Sequence, residues 1–332
     1  MDCPVVVTVV HGGHPGRRVP SAPDQHPAPG GATLSEQHRP NPSAAPVCKL
    51  RLRYAKRGKL RFTSHRDVAR AFERALRRAG LPMAYSQGFN PHPKVSWVGA
   101  APTGCASEAE YVELSLVERV DPELVRRELN AALPEGLRVV EAVLAGPGSL
   151  TERIEASAWR IELPGVPVNA LRAAVDALLA APEVSVERMT KDGPRVLDAR
   201  AAVVSATVND PPDVSPATGP LTECGILGTV VRQVSPAVRP DDVLSALGVV
   251  AGLELSVPAK ATRLAQGRLD DDGSLADPLG PDRDGPDAGG GDVPRSHRDV
   301  AGRAGGALEI RDLPVEERIA VTGVVAEDVQ GP

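Results

Sequence analysis

All eight aromatic residues of this 332-residue chain lie between Tyr54 and Trp159. They are Tyr54, Phe62, Phe72, Tyr85, Phe89, Trp97, Tyr111 and Trp159. Aromatic side chains contribute most to core burial. The best-defined core is therefore expected inside that interval. Outside it the chain turns to small and backbone-restricting residues: Gly and Pro number 32 and 33. That is nearly one fifth of the chain, against an average of ~12%.

Residues 1–46 hold nine Pro and five Gly with no hydrophobic period. They read as a disordered leader, which translation from a start codon upstream of the true one would also produce. Residues 265–332 read as a second tail, mostly disordered. Segments such as AspAspAspGly at 270–273 bury nothing, and the segment carries seven basic against fifteen acidic residues. Within it, 307–325 regains apolar character and fits a short docking element.

Between the tails the hydrophobic pattern is regular. Residues 47–150 give a strand at 49–53 with Leu50, Leu52 and Tyr54 on one face, a turn at Gly58-Lys59, then Leu60 to Phe62 as the strand's continuation or partner. Thr63 or Ser64 starts a helix, with Val68, Ala71, Phe72, Ala75, Leu76 and Ala79 forming one apolar stripe. Extended chain follows at 83–98 and a strand at 110–116. A helix with Leu124, Val125, Leu129 and Leu133 and a strand at 137–144 complete the set. The order β-α-β-β-α-β is that of the split βαβ pattern. Residues 151–264 repeat it roughly, ending on a strand at 253–262. The expected fold class is α+β: two tandem ferredoxin-like modules with disordered N- and C-terminal tails.

Several function classes are excluded. No apolar stretch approaches the ~18 residues of a membrane span. The apolar run at 5–10 lacks the flanks of a signal peptide. Cys3, Cys48, Cys105 and Cys224 are scattered without a CxxC pair, so a zinc site or disulfide framework is not expected. No phosphate-binding glycine loop or HExxH motif occurs. The chain reads as cytoplasmic, without metal or cofactor.

Charge supplies the functional signal. Between Cys48 and Val98 there are 13 Lys/Arg and two acids, Asp67 and Glu73. That local +11 sits in a chain of net charge −5, so the remainder carries −16. At 100° per residue, Arg66, Arg70 and Arg77 fall within about 40° of each other, opposite the apolar stripe. Arg74 and Arg78 flank them. Arg51, Arg53, Lys56, Arg57, Lys59 and Arg61 precede them. A solvated helix face normally mixes signs, whereas a one-signed row suits a polyanion or an acidic partner surface. RNA is favoured, because no duplex-DNA recognition signature is present. Tyr54, Phe62, Tyr85, Phe89 and Trp97 interleave with the cations as core residues or as base-stacking platforms. The segment from Tyr85 to Lys94 adds Asn90, His92 and Lys94 on a backbone stiffened by Pro91 and Pro93. His65 and His92 are the candidates for acid–base chemistry.

Four blocks carry a further signal: LysLeuArgLeuArgTyrAlaLysArgGlyLysLeuArgPheThrSerHisArgAsp, AlaPheGluArgAlaLeuArgArgAlaGlyLeuPro, TyrSerGlnGlyPheAsnProHisProLys and AlaAlaProThrGly. In this order they resemble the bacterial radical-SAM-linked proteins, a domain of unknown function found beside or fused to a radical SAM protein. The resemblance covers residues 48–262 and implies a partner that carries the iron–sulfur cluster. This chain lacks a CxxxCxxC motif, so it is not expected to be the radical SAM enzyme itself. The SerHisArgAsp helix start and the tandem order are also similar to the double ferredoxin-like endoribonucleases that process CRISPR repeat RNA. The leading expectation is an accessory RNA-binding or substrate-presenting protein working with a radical SAM enzyme. The alternatives are a metal-independent endoribonuclease, or an interaction module that docks on an acidic partner.

Overall fold

The computed structural model describes residues 44–191, 193–209 and 224–283. The expectations for residues 1–43 and 284–332, the docking element at 307–325 included, lie outside the described residues.

Cys48–Lys56 forms strand β1, which buries Leu50, Leu52 and Tyr54 on one face. Gly58–Phe62 is a 3-10 turn rather than more strand. Gly58 adopts φ 57°, open to glycine at little cost, and the Thr63 N–H donates to the Leu60 carbonyl at 3.0 Å. Helix α1, His65–Arg78, starts at Ser64, whose hydroxyl accepts from the Asp67 N–H. It buries Val68, Ala71, Phe72, Ala75 and Leu76, the spacing of one helical stripe. Strands β2 (Val95–Val98) and β3 (Ala106–Leu116), helix α2 (Pro122–Ala132) and strand β4 (Leu137–Leu144) follow.

The second half opens with β5 (Ala156–Pro164) and α3 (Val168–Ala180). A hairpin of β6 (Ser185–Thr190) and β7 (Gly193–Asp198) stands as its own two-stranded sheet. Then come α4 (Ala199–Ala202), β8 (Val203–Asn209), β9 (Cys224–Arg232), α5 (Pro240–Ala251) and β10 (Lys260–Leu269). β11 (Leu275–Ala276) and α6 (Gly280–Arg283) close the described chain.

Nine strands make one mixed sheet in an α+β fold. The order is β4-β1-β3-β10-β5-β9-β8, with β2 added to β3 and β11 to β10. Within the first half the local order is β4-β1-β3-β2, and within the second β10-β5-β9-β8. β2 pairs with β3 only from Tyr111 to Leu114, so β10 takes the rest of that edge in parallel, at Ala106 and Ser107. That short pairing joins the halves into one sheet.

Strand alternation divides the core. Leu50, Leu52, Tyr54, Val112 and Leu114 pack with Phe72, Leu76, Val125 and Leu129 of the helices. Tyr111 and Ala109 point the other way and pack with Leu150, Ile154 and Leu279. The second half has its own cluster around Ile161, Leu171, Leu178, Leu227 and Leu247.

Residues 265–283, expected in the tail, are folded. β10 continues past 264, the 270–273 acids form a turn (Gly273 N–H to Asp270 carbonyl, 2.9 Å), and Leu279 is fully buried. The strand expected at 253–262 starts only at Lys260. A Cβ on Gly267 would collide with the Ala276 backbone carbonyl where β11 crosses β10. Gly267→Ala is expected to destabilise by about 1–3 kcal/mol, read as a lower urea midpoint, because backbone cannot yield as a side chain does. No described helix is long and apolar enough to cross a membrane.

Candidate functional site

The α1 face opposite the core carries exposed Arg66, Arg70, Arg74 and Arg77. Arg70 lies 3.5 Å from Asp67 and Arg77 3.7 Å from Glu73, both solvent-facing pairs and hence weak. Asp67 is chiefly engaged by the Ser64 hydroxyl at 2.7 Å, which holds its carboxyl below the usual carboxylate range. Among the described residues, Arg66, Arg74, Lys59 and Lys94 make no ion pair within 4 Å, although Arg66 is near enough to Asp67 to help hold its carboxyl down. Arg78, by contrast, donates to the Ala132 carbonyl at 2.9 Å and ties α1 to α2. The row thus keeps the sign that the sequence suggested.

The segment from Ala84 to Lys94 folds as a braced excursion. The Lys94 N–H donates to the Ala84 carbonyl at 2.7 Å and the Ser86 N–H to the His92 carbonyl at 2.8 Å. The His92 N–H donates to the Ser86 hydroxyl at 3.0 Å. The loop so held packs beside the last turns of α1. Between them lies a groove of about 500 Å³ lined by Glu73, Arg77, Tyr85, Asn90, His92 and the two prolines. Phe89 at the tip is 89% exposed, and Phe62 beside Arg61 is 60% exposed. The structure therefore brings together Arg77, Asn90 and His92, with Glu73 as a lining residue that the charge count treated only as an interruption.

Other expected contacts are not available. Arg51 is 2% exposed; it pairs with Glu113 at 2.9 Å and Asp282 at 2.9 Å, on the sheet face away from α1. Arg53 follows the same alternation and lies 3.5 Å from Glu141. Lys56 is buried, with its ammonium 3.4 Å from the Ala101 and Pro102 carbonyls. Burial lowers its pKa, although Glu110 opposes the shift. Arg57 is engaged by Glu108. Arg51 and Lys56 are thus buried and Arg53 is half-buried, whereas Arg57 keeps a half-exposed side chain in its pair with Glu108. Their carboxylates lie outside the window from which the +11 was counted, so no local signal announced them.

The aromatics divide similarly. Tyr54 is core, 4.8 Å from Phe72, and Trp97 packs edge-on against Tyr54, Phe72 and His65. Only Phe62 and Phe89 of the five are largely exposed. His65 is in the first turn of α1, edge-on to Trp97, while His92 lines the groove with Glu73 and Arg77, which lie eight and twelve residues further along the helix; that is about 12–18 Å along the axis. Among the described residues no group of three or more His, Cys, Asp or Glu is placed to hold a metal ion.

Residues 49–240 match a family of uncharacterized proteins conserved in bacteria, DUF2344. The chain belongs to this family. No curated protein matches it. The family match takes in β1, the whole of α1, the braced loop and the groove. It stops at Pro240, so β10 and the Asp282 contact on Arg51 lie beyond it.

The polar contacts at the join of the two halves are the residues that sequence reasoning missed altogether. Arg263 of β10 pairs with Glu110 of β3, donates to the Ser107 hydroxyl at 3.3 Å and lies over the Trp159 ring at 5.5 Å. Glu110 also accepts from the Ala101 N–H at 3.1 Å. These partners are 153 residues apart in sequence, and each looks like an ordinary strand charge there.

Proposed function

We propose that this protein binds single-stranded RNA along the exposed face of α1 and the 84–94 loop, as an accessory subunit working with a radical SAM enzyme. The observation that carries the reading is the coincidence of unpaired cations with exposed aromatic rings. Arg66, Arg74, Lys59 and Lys94 supply charge for phosphates, and Phe62 and Phe89 supply faces for unstacked bases. A fully exposed Phe on a braced loop contributes nothing to the core, so a ligand is the better reason for it. The radical SAM partner rests on the four sequence blocks alone. The equal strand orders of the two halves support reading them as tandem ferredoxin-like modules.

The reading is tested by fluorescence anisotropy with a labelled unstructured RNA across a salt series. Affinity should fall steeply as salt rises. Salt-independent binding, or capture of an acidic protein with no RNA affinity, would replace this reading with a protein-docking one. Phe89→Ala should weaken RNA binding by about five- to a hundredfold, the range for one lost base stack. Its thermal midpoint should stay at the parent value, because the ring is almost wholly in solvent.

A further inference from the structure

We infer that the groove between α1 and the 84–94 loop is a base-selective pocket that takes an unpaired guanine of the bound strand. The inference deepens the RNA-binding reading and rests on it. The groove lies at the C-terminal end of the basic row, so a strand lying along α1 would pass over it. Its volume of about 500 Å³ has room for a nucleotide.

Its lining is chemically unlike the rest of the row. A pure phosphate site would be lined by cations and N–H donors, yet here a carboxylate, Glu73, faces the same space as Arg77, Asn90 and His92. Asp67, the other acid of α1, is engaged by Ser64. Glu73 is held less closely: its ion pair with Arg77 is 3.7 Å, longer than a hydrogen bond, and its side chain is 33% exposed. It keeps lone pairs free for a ligand donor.

Base edges differ in what they offer a carboxylate. Guanine presents two adjacent donors, N1–H and N2–H, that match the two oxygens of a carboxylate. Adenine and cytosine each set one amino donor beside an acceptor nitrogen, and uracil flanks its single N–H with two carbonyls. Those acceptors would face Glu73 with like polarity. Asn90, with donor and acceptor on one amide, complements the remaining O6 edge. Tyr85, half-buried against the core, closes one wall of the groove, and Arg77 lines it as the cation for a neighbouring phosphate. The two hydrogen bonds between Ser86 and His92 hold Asn90 and His92 on a fixed backbone, as a selective site requires.

The test uses the full chain and nine-residue oligouridines with a single central G, A, C or U, read by fluorescence anisotropy. The G oligonucleotide should bind about tenfold tighter than the other three, within the range for a bidentate side chain–base pair. Glu73→Gln should bring the four within about twofold of one another, with the general tightening from the lost carboxylate shared equally by all four, the all-U strand included. Its thermal midpoint should match the parent, because Glu73 lies on a solvent-facing helix surface. Equal binding of all four by the parent, or a G preference that survives in Glu73→Gln, overturns the pocket while leaving RNA binding intact. Failure to bind any oligonucleotide overturns both readings. Free GMP competing at the same concentration as the G oligonucleotide overturns the strand-borne source in favour of a free nucleotide.

Discussion

An Arg66→Ala/Arg74→Ala protein should bind unstructured RNA about 25-fold more weakly than the parent at 0.1 M salt. Each phosphate contact to a single strand scales affinity by roughly the −0.7 power of salt, about fivefold at 0.1 M. These two arginines are chosen because neither makes a close ion pair among the described residues, and Asp67, which feels Arg66, keeps Ser64 and Arg70. The plot of log affinity against log salt should become shallower by about 1.4, two contacts at ~0.7 each. Both side chains are exposed, and the melting temperature should not move by more than a degree or two. A parent-like slope in the double variant would show that this face does not meet phosphates.

Asp282→Ala should cost about 3–5 kcal/mol of stability, the range for breaking a buried ion pair. The Asp282 side chain is fully buried, and its two oxygens accept from Arg51 at 2.9 Å and Arg153 at 2.8 Å. The Gly146 N–H donates to it at 2.9 Å as well. Without it, Arg51 stays buried with Glu113 as its remaining carboxylate and the Gly148 carbonyl as its other acceptor. Urea denaturation of the variant would show the loss as a fall in midpoint. Arg51→Met/Asp282→Ala should recover part of it, because the more deeply buried of the two guanidinium groups that Asp282 engages is removed with it, while Arg153 keeps the Pro147 and Pro278 carbonyls. An Asp282→Ala midpoint equal to the parent's would mean that α6 is not held by this contact.

The same carboxyl gives a pH dependence. Burial pushes Asp282 up, but the hydrogen bonds from Arg153, Arg51 and Gly146 outweigh it and hold the group below the usual carboxylate range. A depressed folded pKa means that the unfolded chain binds the proton more readily. The stabilisation is therefore fully present above the ordinary Asp value near 3.9 and is lost as pH falls through the lower folded value. Between pH 7 and pH 3 the parent should lose more stability than Asp282→Asn, which cannot titrate.

Much of the local architecture was legible in the chain. The period-3.6 stripe of α1 named its buried residues, and Thr63-Ser64 marked its start, with Ser64 the cap. The alternation of β1 put Leu50, Leu52 and Tyr54 on one face. The same alternation also put Arg51 and Arg53 on the opposite face from α1, which a count of charges along the segment ignores. The turn at Gly58-Lys59 was legible, but its continuation to Phe62 escaped because Leu60 and Phe62 keep a strand-like alternation. Residues 270–283 looked like tail because their composition is that of a tail; what orders them is a pair of arginines more than 100 residues upstream.

The sequence by itself determined the succession of helices and strands and the one-signed outer face of α1. Those depend on period, capping and composition, which act over a few residues. The tertiary structure decided which cations are free. Glu108, Glu110, Glu113, Glu141 and Asp282 come from beyond the basic segment to engage Arg57, Arg263, Arg51 and Arg53, while Lys56 is buried against backbone carbonyls. It also decided that Glu73 shares a groove with Asn90 and His92. The reason is physical: a buried charge must find a counter-charge in space, and sheet pairing brings together strands whose residues are far apart in the chain.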